Sequence, residues 1–514
     1  MDRDAMHEFG IPAMVLMERA GLAVFEVIKE LLPDQGRIAV VCGKGNNGGD
    51  GLVVARLAHE AGFQVECLVA ATESELSDDA RTQLNVSRAQ GVRPIFFDDE
   101  RWMRKSDCMG MMDLVVDALL GTGASGEVHG PILEGIRAIN RSGVPVVSVD
   151  VPSGIDTDTG EDLGESVWAL RTVTFGVPKP FLFQGIGLEH AGYWSVAEIG
   201  YPSTLLETPT DARVLTDQWV YDVIPERLRS AHKRDNGHVL VIAGSDTMTG
   251  AALLAAKAAL RAGAGLVTLA STTAVCNAAA SYLPEVMHIR LPDTDGEINE
   301  AAIDVLLAAN LMIDSAVIGP GMGHSPHVIE FFKALFADWE VPSVLDADAL
   351  NAVATGVQLP QGECVLTPHP GEMARLLSCS TAEVQTDRFT TMKEAAKRFG
   401  KTIVLKGPHT IVSEQHQPLG VNQTGNNGMA TAGMGDVLSG VIGALLAQDL
   451  PPYCAACAGV AWHGAAGDVC ADRIGPVGYL ASDVVDSLPQ ARAKLTASCD
   501  ARIRMRPLPS SCQF

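Results

Sequence analysis

A chain of 514 residues, 47% apolar and 19% charged, is long enough for two or three domains with ample cores. Its formal net charge of −24, with no basic patch in the body of the chain, argues against a nucleic-acid surface. No apolar run reaches the roughly 18 residues of a membrane helix, and 11 scattered cysteines behind a start without a leader point to a soluble protein of a reducing cytoplasm.

Apolar positions at helical spacing over residues 11–32 (Val15, Leu16, Ala20, Val27, Leu31) predict a helix ended by Pro33. A buried-strand run over 38–42 then flows into Gly43-Lys44-Gly45-Asn46-Asn47-Gly48-Gly49-Asp50-Gly51 and a helix over 52–61. Strand, glycine loop and helix is how doubly wound folds hold phosphates or nucleotides, although this spacing is neither GxGxxG nor a Walker loop. Strands over 65–70, 114–120 and 144–149 alternate with helices over 79–90 and 132–142. The second of these strands ends in Gly121-Thr122-Gly123-Ala124-Ser125-Gly126, and the third delivers Asp150, Ser153 and Asp156. Three loops thus leave the carboxyl ends of three parallel strands, where open α/β sheets place ligands. Each carries an amide or carboxylate among small residues: Asn46, Asn47 and Asp50; Asp117; Asp150 and Ser153. Any one of them is equally an ordinary loop-capping residue. Three on one edge predict a site.

The runs GKGNNGGDG, DALLGTG and VDVPSGID resemble the N-terminal epimerase half of the NAD(P)H-hydrate repair enzymes, over residues 1–205. The resemblance implies a Rossmann-like doubly wound domain that binds the hydrated dinucleotide. Its contacts would be Asn46, Asn47, Gly48, Gly49 and Asp50 on one loop and Gly121, Thr122, Gly123, Ala124, Ser125, Gly126 and Glu127 on another. Asp150 would face the hydrated ring as the catalytic carboxylate, and oxygens of Asn47, Asp117 and Ser153 would hold a potassium ion. Amide, carboxylate and hydroxyl oxygens are what a hard cation prefers. A carboxylate can also accept the proton released when a hydroxyl-bearing carbon isomerises. The chain begins almost at the first helix of that pattern, so the N-terminal edge of the site is expected to be less covered than in relatives.

The stretch 201–213, rich in Pro, Thr and Ser, reads as a linker, drawn here at 206–216. The rhythm then restarts with a strand over 237–244, an Ala-rich helix over 250–263 and a strand over 265–270. Further strands lead into Gly319-Pro320-Gly321-Met322-Gly323, Asp346-Ala347-Asp348, Thr367-Pro368-His369-Pro370-Gly371-Glu372 and Lys406-Gly407. Last come the small residues Ala430 to Gly435, Asp436 and an apolar helix (Val437, Leu438, Val441, Ile442, Leu445). This predicts a long parallel α/β domain with at least five glycine or acid loops on one edge. A helix start attracts anions, which makes Asp436 a candidate base beside phosphates, or an ordinary N-terminal helix acid. His369, between two prolines, is a rigid ligand contact or a structural histidine. Lys406 is a phosphate partner or a solvated strand end, and the turn His232 to Gly237 neutralises phosphate or is solvated. Cys454 and Cys457, in an apolar helical run without a second pair, read as buried thiols.

GPGMG, DADAL, TPHPGE, VLKG and GMGDVLSG together resemble the C-terminal half of the same family, the ADP- or ATP-dependent dehydratase, which is similar to the ribokinase superfamily, over residues 217–495. The resemblance implies substrate contacts at Ala251, Gly323, His369 and Asp436, and nucleotide contacts at Lys406, Gly407, Pro408, His409, Thr410 and Gly435. Magnesium on the nucleotide phosphates and a homo-oligomer are implied with them. Asp436 would accept the hydroxyl proton of the hydrate as it is phosphorylated, and loss of that phosphate would restore the dihydronicotinamide. Residues 496–514, with Arg502, Arg504 and Arg506, read as a disordered tail. Two rivals stand beside this reading: a ribokinase-type small-molecule kinase with an accessory domain, and a first half that senses nucleotide without catalysis.

Overall fold

A computed structural model describes residues 1–32, 35–208, 210–309 and 311–505, with side chains described to residue 496. The chain divides into two units, Met1–Pro209 and Thr210–Phe514.

In the first unit the strands are β1 (Arg37–Cys42), β2 (Gln64–Val69), β3 (Ile95–Phe96), β4 (Leu114–Ala118), β5 (Val146–Val149), β6 (Arg171–Phe175) and β7 (Tyr193–Ala197). All pair in parallel, in the order β3-β2-β1-β4-β5-β6-β7. The central strands β1, β4 and β5 are buried on both faces, as in a sheet covered by helices on each side, and are apolar but for Asp117 and Ser148 and the exposed first residue of β1. Their alternate residues feed two cores, one on each face. Connections run outward through β2 and β3 on one side and through β5 to β7 on the other, so the winding reverses between β1 and β4. The helix Ala13–Leu31 matches its expected extent, and Pro33 lies outside the described residues. The glycine run differs from expectation: Asn46 to Gly51 is not loop but the first two turns of the helix Asn46–Glu60. Tight packing under the strand ends forces this, because a Cβ on Gly48 would lie 2.0 Å from the Gly43 carbonyl oxygen. A short helix, Asp2–His7, and strands β6 and β7 were not foreseen.

The second unit begins with β8 (Ala212–Val214), inside the stretch expected to be a linker. Correction of 206–216 follows from register: β8 runs parallel to β19 (Leu419–Val421), with Arg213 opposite Gly420. The remaining strands are β9 (His238–Ile242), β10 (Leu266–Ser271), β11 (Met287–Arg290), a small hairpin of β12 (Asp293–Thr294) and β13 (Glu297–Ile298), β14 (Ser315–Ile318), β15 (Ser343–Leu345), β16 (Cys364–Leu366), β17 (Thr402–Leu405) and β18 (Ile411–Ser413). The large sheet has the order β11-β10-β9-β14-β15-β16-β17-β18-β19-β8. It is parallel as far as β17, but β18 is antiparallel to both its neighbours, so the wholly parallel sheet expected is corrected at this edge. The reason is the short Lys406-to-Thr410 turn, which permits a hairpin and no crossover. Winding again reverses between two central strands, here β9 and β14.

The nine described cysteines are free, and Cys454 and Cys457 sit in the helix Pro452–Ile474. No helix among the described residues is long and apolar enough to cross a membrane. The last helix runs through Met505, so residues 496–505 of the expected tail are helical, and 506–514 lie outside the described residues.

Candidate active sites

In the first unit a cavity of about 830 Å³ opens at the carboxyl ends of β1, β4 and β5, against the winding reversal. Of the expected contacts it is lined by Asn46, Asn47, Asp50, Gly121, Thr122, Gly123, Ala124 and Asp150. Gly48 and Gly49 are buried behind it, and Ser125, Gly126 and Glu127 are exposed and do not line it. Met1, Asp2 and Met6 also line it, from the edge expected to be poorly covered.

Asp150 takes a left-handed backbone conformation (φ 66°), rare for a residue with a Cβ, and its amide donates to the Val173 carbonyl. Its Oδ1 accepts from Thr174 Oγ1 at 2.9 Å, the Phe175 amide at 3.2 Å and Lys179 Nζ at 2.5 Å. Asp50, in the first turns of its helix, is pushed well above the usual carboxylate range by burial and by the charges of Asp150 and Asp2. The cavity therefore holds two carboxyls in different surroundings, Asp150 paired with the Lys179 ammonium and Asp50 buried beside other carboxyls.

Asn47, Asp117 and Ser153 come together around Leu120. Asn47 Nδ2 donates to the Leu120 carbonyl at 2.8 Å, and the Leu120 amide donates to Ser153 Oγ at 2.9 Å. Asp117 is fully buried and accepts from Ser153 Oγ at 2.6 Å, the Ser153 amide at 2.9 Å and Ser148 Oγ at 2.9 Å. Burial raises its carboxyl, and those donors offset part of the rise. The cluster offers amide, carbonyl, carboxylate and hydroxyl oxygens with no sulfur or imidazole, a donor set suited to a hard cation.

In the second unit the loops after β14, β15, β16 and β17 and the start of the helix Met434–Leu446 share one edge of the sheet. Lys406 reaches Asp346 Oδ1 at 2.7 Å and lies 3.8 Å from Glu372 Oε2. Burial opposes the Lys406 ammonium, but Asp346, Glu372 and Asp436 outweigh it and raise its affinity for the proton. Burial likewise opposes charge on Asp346, and Lys406 with Ser439 and Thr367 overcomes it, holding that carboxyl below its ordinary value. Asp436 is raised from 3.8 to about 7 by burial and the nearby Asp346 charge, with Lys406 acting against the rise. Gly435, next to it, would bring a Cβ within 3.2 Å of Lys406 Nζ.

His369 begins the helix Pro370–Leu377, where its Nδ1 accepts from the Gly371 amide at 3.0 Å and the Glu372 amide at 3.4 Å. Its ring is half exposed. Gly323 (φ 90°) is bound through its amide to Asp348 Oδ2 at 2.8 Å, and a Cβ there would strike Glu297. Ala251 lies in the first turn of the helix Thr249–Arg261, against the Gly321 turn. Gly407 and Pro408 are exposed, and His409 and Thr410 partly so. The turn His232 to Gly237 stands at the amino end of β9, opposite the site edge, where His232 caps the short helix Lys233–Asn236. That places it away from any phosphate on the site edge.

Two residues escaped the sequence reading. Lys179 sits between Pro178 and Pro180, a rigid cation whose only signal was that spacing. Arg388, buried, donates to the Pro408 carbonyl at 2.6 Å and the His409 carbonyl at 3.3 Å, bracing the turn after β17. Nothing in its neighbourhood along the chain points to that role.

Two doubly wound units, each with glycines, acids and a buried or half-buried lysine at the strand ends beside its winding reversal, define a two-site α/β protein of the nucleotide-handling class. The chain belongs to the family of bifunctional NAD(P)H-hydrate repair enzymes. It is 42% identical over 498 residues to the member from Moorella thermoacetica, covering 95% of this chain and 94% of that one. To the member from Escherichia coli it is 37% identical over 487 residues, 95% and 91% of the two chains. The NAD(P)H-hydrate dehydratase family matches residues 239–490, and the YjeF-related protein N-terminus matches 13–181. A ribokinase-like superfamily protein from Enterococcus faecalis superposes with a TM-score of 0.50 at 25% identity, covering 55% of this chain and 96% of that one.

Proposed function

We propose that the first unit interconverts the epimers of hydrated NADH and NADPH, and that the second dehydrates the S epimer at the expense of ADP or ATP. The observation that carries it is the placing of Asp150 and Asp436, each a carboxylate at a strand-exit edge beside a lysine. In the second unit Asp436 takes the hydroxyl proton of the hydrate as that oxygen attacks the terminal phosphoryl group. The resulting phosphate ester then leaves as phosphate while the neighbouring carbon gives up a proton, restoring the ring double bond. Lys406 faces the phosphates across Gly435, and residues Lys406 to Thr410 with Gly435 hold the nucleotide. Ala251, Gly323 and His369 bound the hydrate.

Magnesium would supply charge neutralisation on the nucleotide phosphates. No cluster of three His, Cys, Asp or Glu fit to cage a metal exists among the described residues, which suits an ion carried on phosphate and water. Potassium would be held in the first unit by the oxygens of Asn47, Asp117 and Ser153, tying both glycine loops to one point. The reading extends to a cytoplasmic homo-oligomer, consistent with free thiols, and gel filtration with light scattering tests the oligomer.

The test is direct: incubate the protein with an equal mixture of the two epimers of hydrated NADH and with ADP or ATP, and follow recovery of dihydronicotinamide absorbance. Complete recovery from the mixture supports both activities. Recovery of half supports the second alone. Accumulation of a stable phosphorylated product would favour a kinase instead.

A further inference from the structure

Water added to a dihydronicotinamide places its proton on C5 and its oxygen on C6, because the ring nitrogen N1 stabilises positive charge at C6. The carbon to be epimerised is therefore a hemiaminal, with a hydroxyl and N1 on the same atom. Such a centre can invert by opening: the hydroxyl loses its proton, C6=O forms, the C6–N1 bond breaks and its electron pair goes to N1, which takes up a proton. Rotation and reclosure on the other face give the second epimer. Oxygen and N1 flank one carbon, so a single carboxylate oxygen can reach both.

The cavity of the first unit is built to present one such oxygen. All three described donors to Asp150 fall on Oδ1, from Thr174, Phe175 and Lys179. Lys179 Nζ is itself fixed by Thr174 Oγ1 at 2.6 Å and the Phe175 carbonyl at 3.0 Å, so its three N–H groups are aimed at three acceptors. Both side chains line the cavity, and prolines flank the lysine on each side. A left-handed backbone at Asp150, unusual for any residue with a Cβ, is held in the loop that carries this carboxylate.

We propose that Asp150 Oδ2 shuttles one proton between the C6 hydroxyl and N1 during ring opening, and that Lys179 is the positioning residue that pins Oδ1 and leaves Oδ2 free to do so. This rests on the epimerase reading of the first unit and adds its route and a residue. No second acid and no external reactant is needed, since the proton taken from oxygen is the one delivered to nitrogen.

The experiment uses the full-length chain without nucleotide and a hydrate labelled with 18O in its hydroxyl, with R-to-S exchange followed by chromatography and mass. Wild type is expected to epimerise with the label retained. Lys179→Ala is expected to lose about a hundredfold in kcat with KM nearly unchanged, at an unaltered melting temperature, and added propylamine is expected to restore part of the loss. Retained activity in Lys179→Ala would overturn the proposal, as would loss that no amine restores or that appears only in KM. Loss of one label at every inversion by wild type, from the first turnover on, would overturn ring opening in favour of loss and re-addition of water. Wild type that binds the hydrate without epimerising it would remove the underlying reading, and this inference with it.

Discussion

Lys406 Nζ lies 2.7 Å from Asp346 Oδ1, while Ser439 Oγ donates to the other oxygen of the same carboxylate at 2.7 Å. The ends of strands β17 and β15 and the helix Met434–Leu446 are thereby tied at one point, close enough for both charges to act on Asp436. A buried ion pair of this kind contributes less to stability than to order, because desolvation offsets much of its attraction. Its effect on Asp436 is measurable.

Dehydration should fail on the acid side. Asp436, pushed up to about 7, has to be unprotonated in the role proposed for it, so kcat/KM should fall as pH drops through that value. Asp346→Asn removes a negative charge that raises Asp436, and should move the acid limb to lower pH. An unmoved limb would mean that another group sets it. The same elevation has a sign for folding: the folded chain keeps a proton that the unfolded chain gives up between 3.8 and about 7, so this group's contribution to stability is lost as pH rises through that window.

Asp436→Asn should reduce nucleotide-dependent dehydration by about a hundredfold or more, while R-to-S exchange continues. Assaying both reactions on one preparation checks it, and parallel loss of the two would argue against separate chemistry.

His369 caps a helix, and substitution can separate that duty from the hydrate contact proposed for it. His369→Ala removes the acceptor for the Gly371 and Glu372 amides and should cost about 1 kcal/mol of stability as a lost helix cap. His369→Asn supplies a capping oxygen and should recover the melting temperature while still binding the hydrate weakly. Hydrate affinity at the wild-type level in His369→Asn would leave the imidazole a cap and nothing more.

Arg388→Met takes donors from the Pro408 and His409 carbonyls and should let the turn proposed to hold nucleotide relax. Bonds of this charged kind are worth about 1.5–3 kcal/mol each, so ADP affinity by calorimetry should weaken by about tenfold or more, with hydrate affinity little changed. Arg388→Lys, which fills the same buried site, serves as the folding check.

At the first unit, crystals grown in rubidium or thallium salts should show an anomalous peak among Asn47, Asp117 and Ser153, and Asp117→Asn should abolish it. A water at that position in wild type would remove the cation from the account.

What could be read along the chain was the strand-exit chemistry. Each of Asp117, Asp150, Asp346 and Asp436 follows or opens an apolar run next to small residues, and period and composition mark such places. Asn46 to Gly51 looks like loop from sequence because glycines weaken helices locally, whereas close packing against Gly43, Cys42 and Ala118 at the ends of β1 and β4 makes it helix. Strand β8 was hidden among prolines and threonines: three residues give no period, and only the edge of β19 makes them extended. Lys179 and Arg388 act on partners 29 and 20 residues away, through folding-back that no local pattern announces.

Anyone wishing to express the second half by itself should take account of where β8 lies. A start codon placed at residue 217, after the Pro- and Thr-rich stretch, would cut away Ala212–Val214 and strip β19 of its parallel partner, leaving the three residues Leu419–Val421 as the open edge of the sheet. The cut belongs ahead of Thr210.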